Sequence, residues 1–243
     1  VQNRHVDGEM KPMYCMAFDS YSNGIKTYQA YDANIEKYNA DAKPLRKIYL
    51  SCGIRQLTSA DTKNIFTHID ILSTRIATTT TVSKACPTLM ERAVAYSVVQ
   101  NYDAAISDLT VCINADSTNM LAYWQRAVSQ SLFNNYEASR GMDVRLLAAK
   151  AEADFDAAIK LAPDNAYLYF DRGNLRCSVK NYSHAIDDYT KAISLNPDIA
   201  EVYFNRGLAY LKLGNKQQAV ADLSKAGELG LYDAYSIIKQ QQK

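Results

Sequence analysis

The feature that most limits how this chain can fold is a recurrence. Residues 203–226 read YFNRGLAYLKLGNKQQAVADLSKA, and residues 169–192 read YFDRGNLRCSVKNYSHAIDDYTKA, in register and 34 residues apart. The same spacing of 34 separates LMERAV at 89–94 from YWQRAV at 123–128. Between the second and third copies the spacing widens to 46, so 12 further residues lie inside the second copy, around 134–147. ADFDAAIKLAPDN at 153–165 then resumes the pattern. A period of this length marks a supersecondary unit that cannot bury its own apolar face, so copies must stack.

Six positions recur. The third copy has Tyr169, Gly173, Ala185, Tyr189, Ala192 and Pro197; the fourth has Tyr203, Gly207, Ala219, Leu223 and Ala226, with Leu231 in place of proline. The second has Tyr123, Ala127, Ala151, Phe155, Ala158 and Pro163, and the first, more loosely, Leu89, Ala93, Ala105, Leu109, Cys112 and Ser117. Gly or Ala at the small positions lets two helix backbones approach, and aromatic or leucine side chains fill the grooves between them. Proline ends the second helix because it lacks an N–H and forces the preceding residue out of helical geometry. Asp116, Asp164 and Asp198 fall in the turns, where a short carboxylate bonds nearby backbone or starts a helix.

This register resembles the tetratricopeptide repeat over roughly residues 86–231. The resemblance implies an all-α fold, a right-handed superhelical solenoid of antiparallel helix pairs. The four repeats would span about 86–119, 120–165, 166–199 and 200–231. LYDAYSIIKQQQK predicts an amphipathic capping helix from about Asp233, within residues 232–243. Upstream, residues 44–77 read as a degenerate helical hairpin with TSAD as its turn, and TTTT at 78–81 connects it to the first repeat by residue 85. Residues 1–43 form an arm, partly extended, with Met10, Pro12, Tyr14, Met16 and Phe18 in weak alternation.

A second recurrence is charged. Arg92, Arg126, Arg172 and Arg206 hold one register in the first helices, and Asp108, Asp154, Asp188 and Asp222 hold one in the second. We expect an arginine–aspartate ladder that fixes register, since the planar guanidinium can grip a carboxylate with two bonds. Its presence in every copy favours architecture over a local site.

Composition narrows the function. The net charge is +1, whereas a nucleic-acid or anionic-membrane surface calls for a basic face. No stretch approaches the ~20 unbroken apolar residues of a membrane span. Cys15, Cys52, Cys86, Cys112 and Cys177 are odd in number and widely spaced, and with His5, His68 and His184 they make no zinc-ligand spacing. They read as buried or idle thiols. There is no phosphate-cradling glycine loop, HExxH or GxSxG, so no catalytic residue, cofactor or metal is expected.

In tetratricopeptide repeats the first helices line a concave face where a peptide or partner helix docks. Carried onto this sequence, that implies Met90, Trp124, Tyr167, Phe170, Asn174, Glu201, Phe204 and Leu208 as partner-binding residues, with a protein or peptide as partner. The lysines of the chaperone-type carboxylate clamp are missing; Met90, Val94, Gln125, Tyr167 and Asp171 stand there instead. The insertion FNNYEASRGMDVRLL, residues 133–147, is a second candidate contact, either as a helix extension or as a projecting loop. The NRG and AGELGLYDAY stretches are similar to the C-terminal regions of long repeat proteins of Bacteroidetes bacteria. That implies an envelope-associated protein, periplasmic or at the outer membrane, with a cytoplasmic one as the other reading. It also brings an alternative function, glycan or small-ligand binding on tyrosine platforms, 18 tyrosines being present.

Overall fold

The computed structural model describes residues 59–241, and among these every regular element is a helix. The expected arm, the first helix of the degenerate hairpin, and Cys15, Cys52 and His5 lie outside the described residues. Two compact units divide the chain between Ala162 and Pro163. The first holds α1 (Ser59–Ala77), α2 (Val82–Val98), α3 (Tyr102–Ala115), α4 (Met120–Ser139) and α5 (Arg145–Leu161). The second holds α6 (Ala166–Ser178), α7 (Tyr182–Leu195), α8 (Ala200–Lys212), α9 (Lys216–Glu228) and α10 (Asp233–Gln241).

Within each unit consecutive helices pack as antiparallel pairs, α2 with α3 and α4 with α5 in the first, α6 with α7 and α8 with α9 in the second. The recurring small residues sit where the helices come closest. A Cβ added at Gly173 would lie 2.6 Å from the Tyr189 ring, and one at Gly207 would lie 3.0 Å from Leu223 and 3.2 Å from the Ala219 carbonyl. Ala105, Leu109, Ala127, Ala151, Phe155, Ala158, Ala185, Ala192, Ala219 and Ala226 have no exposed surface at all or 1% at most.

Caps fix where the helices start. Asn101 accepts from the Ala104 N–H, Asn119 from Ala122 and Asn165 from Tyr167. The N-caps are thus mostly asparagines. Asp116 acts earlier, accepting from the Thr118 N–H and hydroxyl inside its turn. The helices end just as regularly: Gln100, Lys180, Gly214 and Gly230 take positive φ. The next N–H in each case reaches five residues back, as from Asn101 to the Tyr96 carbonyl at 2.8 Å and from Leu231 to that of Ala226 at 2.9 Å.

Two elements depart from the expected bounds. α2 begins at Val82, a turn before the repeat register, and runs through Pro87. The 12-residue insertion is neither a loop nor an extension of one helix. Compared with α6, the turn at 179–181 and α7, α4 is seven residues longer, the turn at 140–144 two longer and α5 three longer. Both helices therefore project past the ordinary repeat length. At this end Tyr102 stacks on Phe133 with centroids 5.7 Å apart, and Met142 and Leu146 lie at the surface.

α10 covers the open end of the second unit. Ala234 and Ile237 join Phe204, Leu208, Leu223, Ala226 and Leu231 in one apolar cluster. At the start of the first unit, α1 packs Ile65 and Ile69 against Ala95 of α2, with Tyr96 and Val98 at the margin.

Candidate partner-binding surface

The charged register resolves into four two-bond ion pairs. Arg92 donates to both oxygens of Asp108 at 2.8 and 2.7 Å, and Arg126 to both of Asp154 at 2.7 Å. Arg172 grips Asp188 at 3.0 and 2.6 Å, and Arg206 grips Asp222 at 2.7 and 2.8 Å. The hydrogen bonds to Asp108 and Asp154 hold Arg92 and Arg126 above the ordinary arginine range.

Two further contacts define the arginine's role. In three cases its remaining nitrogen donates to a hydroxyl on the preceding helix pair: Arg92 to Ser73 at 2.9 Å, Arg126 to Thr110 at 3.0 Å, Arg206 to Thr190 at 3.0 Å. One side chain thus ties its own pair together and links it to the pair before. The guanidinium also lies over the first-helix tyrosine three residues earlier, at 5.9 Å for Arg126 on Tyr123, 5.7 Å for Arg172 on Tyr169 and 5.8 Å for Arg206 on Tyr203. Where that tyrosine is replaced by Leu89, Tyr96 one turn on serves Arg92 at 5.6 Å. Asp188 has a second ion pair, from Arg176 at 2.8 Å. The hydroxyl recurs two residues after the aspartate, as Thr110, Thr190 and Ser224, whereas Arg176 has no counterpart, its register holding Tyr96, Gln130 and Tyr210.

The eight candidate contact residues divide sharply. Trp124 is 1% exposed, Phe170 0%, Phe204 4%, Leu208 3%, Met90 5% and Asn174 3%; Tyr167 and Glu201 are half-buried. The aromatics are therefore packed inside each unit, Phe170 against the Tyr189 ring and Phe204 under the capping helix. Asn174 belongs to a buried polar cluster: its oxygen accepts from the Tyr189 hydroxyl at 2.8 Å and from Asn205 at 2.7 Å, linking α6, α7 and α8. Half-exposed first-helix positions are Val94 and Ser97 on α2, Val128 on α4, Tyr167 on α6, and Glu201 and Leu211 on α8.

His68 on α1 pairs with the buried Glu91 on α2 at 2.8 Å, a contact that no motif signalled. Among the described residues no group of three His, Cys, Asp or Glu side chains could hold a metal ion, and no helix is long and apolar enough to cross a membrane.

Comparison with known proteins agrees with this geometry. No curated protein matches the chain. Among solved structures, a crystal structure of MamA is 22% identical, covers 74% of this chain and 99% of its own length, and gives a TM-score of 0.54. A second MamA structure is 23% identical with coverages of 78% and 93%, and a MamA RS-1 double mutant is 16% identical with 77% and 93%, both at TM-scores of 0.54. At these identities the likeness is one of fold. A TPR repeat model matches residues 173–214, and a tetratricopeptide-repeat model matches residues 200–230. Family models thus place tetratricopeptide repeats at residues 173–230, and the solved structures share the fold over a larger part of the chain.

Proposed function

We propose that this chain is a non-catalytic scaffold that binds a protein or peptide partner along its first helices. The observation that carries the reading is how the repeat registers divide. Positions that stay constant between copies are used up by internal packing: the small residues, the second-helix aromatic or leucine, and the arginine–aspartate pairs. Outside the ladder and the recurring tyrosine, partly exposed first-helix positions change between copies, as Tyr167 against Glu201 and Ser97 against Leu211. A surface that is regular in backbone and irregular in side chain suits recognition of one extended partner. The half-exposed residues supply the contact.

The test uses the full chain as bait in a native lysate, with a chemical cross-linker and identification of captured proteins. Tyr167→Ala with Glu201→Lys changes the surface without opening the core, whereas Trp124→Ala or Phe170→Ala would leave a large cavity. A partner held by wild type, and reduced roughly tenfold by the folded double variant, supports the first-helix site. Equal capture would shift the site to the long α4–α5 hairpin. Binding to a glycan array with no protein captured would sink the scaffold reading.

A further inference from the structure

We propose that Cys86 and Cys112 are a disulfide site that staples the two helices of the first repeat. Cys86 lies near the start of α2 and Cys112 near the end of α3. The Cys112 sulfur sits 3.5 Å from the Cys86 carbonyl oxygen, and both thiols are free and buried.

The repeat register makes this pairing informative. The corresponding residues are Met120 and Ala158 in the second repeat, Ala166 and Ala192 in the third and Ala200 and Ala226 in the fourth, the alanines all buried. In the third and fourth repeats both positions are small and buried. Only the first repeat carries cysteine at both positions, on two helices that pack against each other. Disulfide formation needs Cα atoms about 4.4–6.8 Å apart and side chains that point toward each other. The Cys112 sulfur, already against the Cys86 backbone across the helix pair, is within reach of that side chain.

The backbone can supply the remaining movement. Pro87 follows Cys86 and has no N–H, so residue 87 donates nothing to the Ser83 carbonyl. Val82, Ser83 and Lys84 are exposed. The turn that carries Cys86 is thus among the least tied in α2.

The chemistry assigns an order. Burial pushes the Cys86 thiol up, but the neighbouring Cys112 brings it part of the way back, while burial and Cys86 push Cys112 higher still. Cys86 is therefore the first nucleophile. Its thiolate attacks one sulfur of a small-molecule disulfide such as oxidised glutathione, forming a mixed disulfide and releasing one thiolate. Cys112 loses its proton, attacks the Cys86 sulfur and displaces the second thiol. Two protein thiols become one disulfide, and the two electrons reduce the small disulfide to two thiols.

Because both sulfurs are buried, exchange in the folded chain is slow, and the test is refolding. The full chain is reduced in denaturant, diluted into a glutathione redox buffer, alkylated and mapped by mass spectrometry. The expected product carries two fewer alkyl groups than its five cysteines allow and yields a peptide pair joined through Cys86 and Cys112. Its thermal midpoint should lie about 5 °C above that of the reduced chain. Cys112→Ala restores the residue that the other repeats use, so it folds, and it should lose both the link and the rise. Separate alkylation of Cys86 and Cys112 after oxidising refolding would overturn the proposal. So would their joining to Cys15, Cys52 or Cys177, or an equal rise in Cys112→Ala.

Discussion

Lys180 shows how much one residue can conceal in a sequence. It sits at φ 64°, the left-handed region that disfavours a side chain, and Gln100 holds φ 61° at the same point of its repeat. In the fourth repeat that point is Gly214, at φ 80° with nothing within 4 Å of where a Cβ would stand. The glycine is the residue the turn asks for, and comparing it with its two counterparts was the signal available in the register. Lys180→Gly should therefore raise stability by about 0.5–1 kcal/mol, and Gly214→Ala should lower it by about 1 kcal/mol. Denaturant midpoints at fixed slope check both; a loss in Lys180→Gly would show that its side chain matters more than its backbone. Tyr102 offers a second residue-scale outcome. Burial pushes its phenol up to about 12 from an ordinary 10, with Tyr136 adding to the shift. A raised folded value means the stabilisation is complete below pH 10 and is lost as pH rises toward 12. Alkaline titration should show Tyr102 ionising together with unfolding, and Tyr102→Phe should flatten that loss. The arginine–aspartate register was legible because both partners recur. The third contacts, to Ser73, Thr110 and Thr190, were harder to see, since the hydroxyl two residues after the aspartate gives way to Asp156 in the second repeat and does not itself announce a partner on the next pair.

At the scale of elements, the helices of the repeats were readable because three signals agree: the 34-residue period, small residues at close approaches and breakers between copies. The insertion was readable in length but not in form. Twelve residues can extend a loop or a helix at similar local cost, and the apolar spacing of FNNYEASRGMDVRLL supports either. Packing decides it, because Tyr102 on α3 gives Phe133 a stacking partner and so extends α4 beyond the ordinary helix end. The exposure of Trp124 and Phe170 was the other illegible feature. Period alone places them on the first helix, but whether they face a groove or a neighbouring helix depends on helix rotation. The capping helix gives the element-scale prediction. Ile237 is 1% exposed and closes a cluster with Phe204, Leu208 and Leu223. Ile237→Ala should cost about 3 kcal/mol, while Tyr232→Ser, at a residue 72% exposed, should stay within about 0.5 kcal/mol. Gly227 adds a related constraint, for a Cβ there would run into the Tyr235 ring, which would have to swing aside.

At the scale of the whole molecule, the question is how far a local change is felt. Stacked repeats draw stability from each unit and from nearest-neighbour contacts, so a perturbation should fade along the array. The arginine–aspartate pairs are suited to test this, because each acts within one pair of helices and reaches one step back. Asp222 is 7% exposed and holds Arg206 by two bonds. Asp222→Ala leaves that guanidinium partly buried and unpaired, which should cost about 3 kcal/mol. Replacing both partners, as Arg206→Met with Asp222→Leu, removes the stranded charge and should recover most of that loss. Hydrogen exchange followed by mass spectrometry reads where each effect lands. In Asp222→Ala, amides of α8, α9 and α10 should exchange at least tenfold faster, while those of α2 and α3 keep their wild-type rates. Equal acceleration in both regions would mean the chain unfolds as a single cooperative body. In that case the ladder would act as a global brace, and the double replacement would have to restore protection everywhere at once.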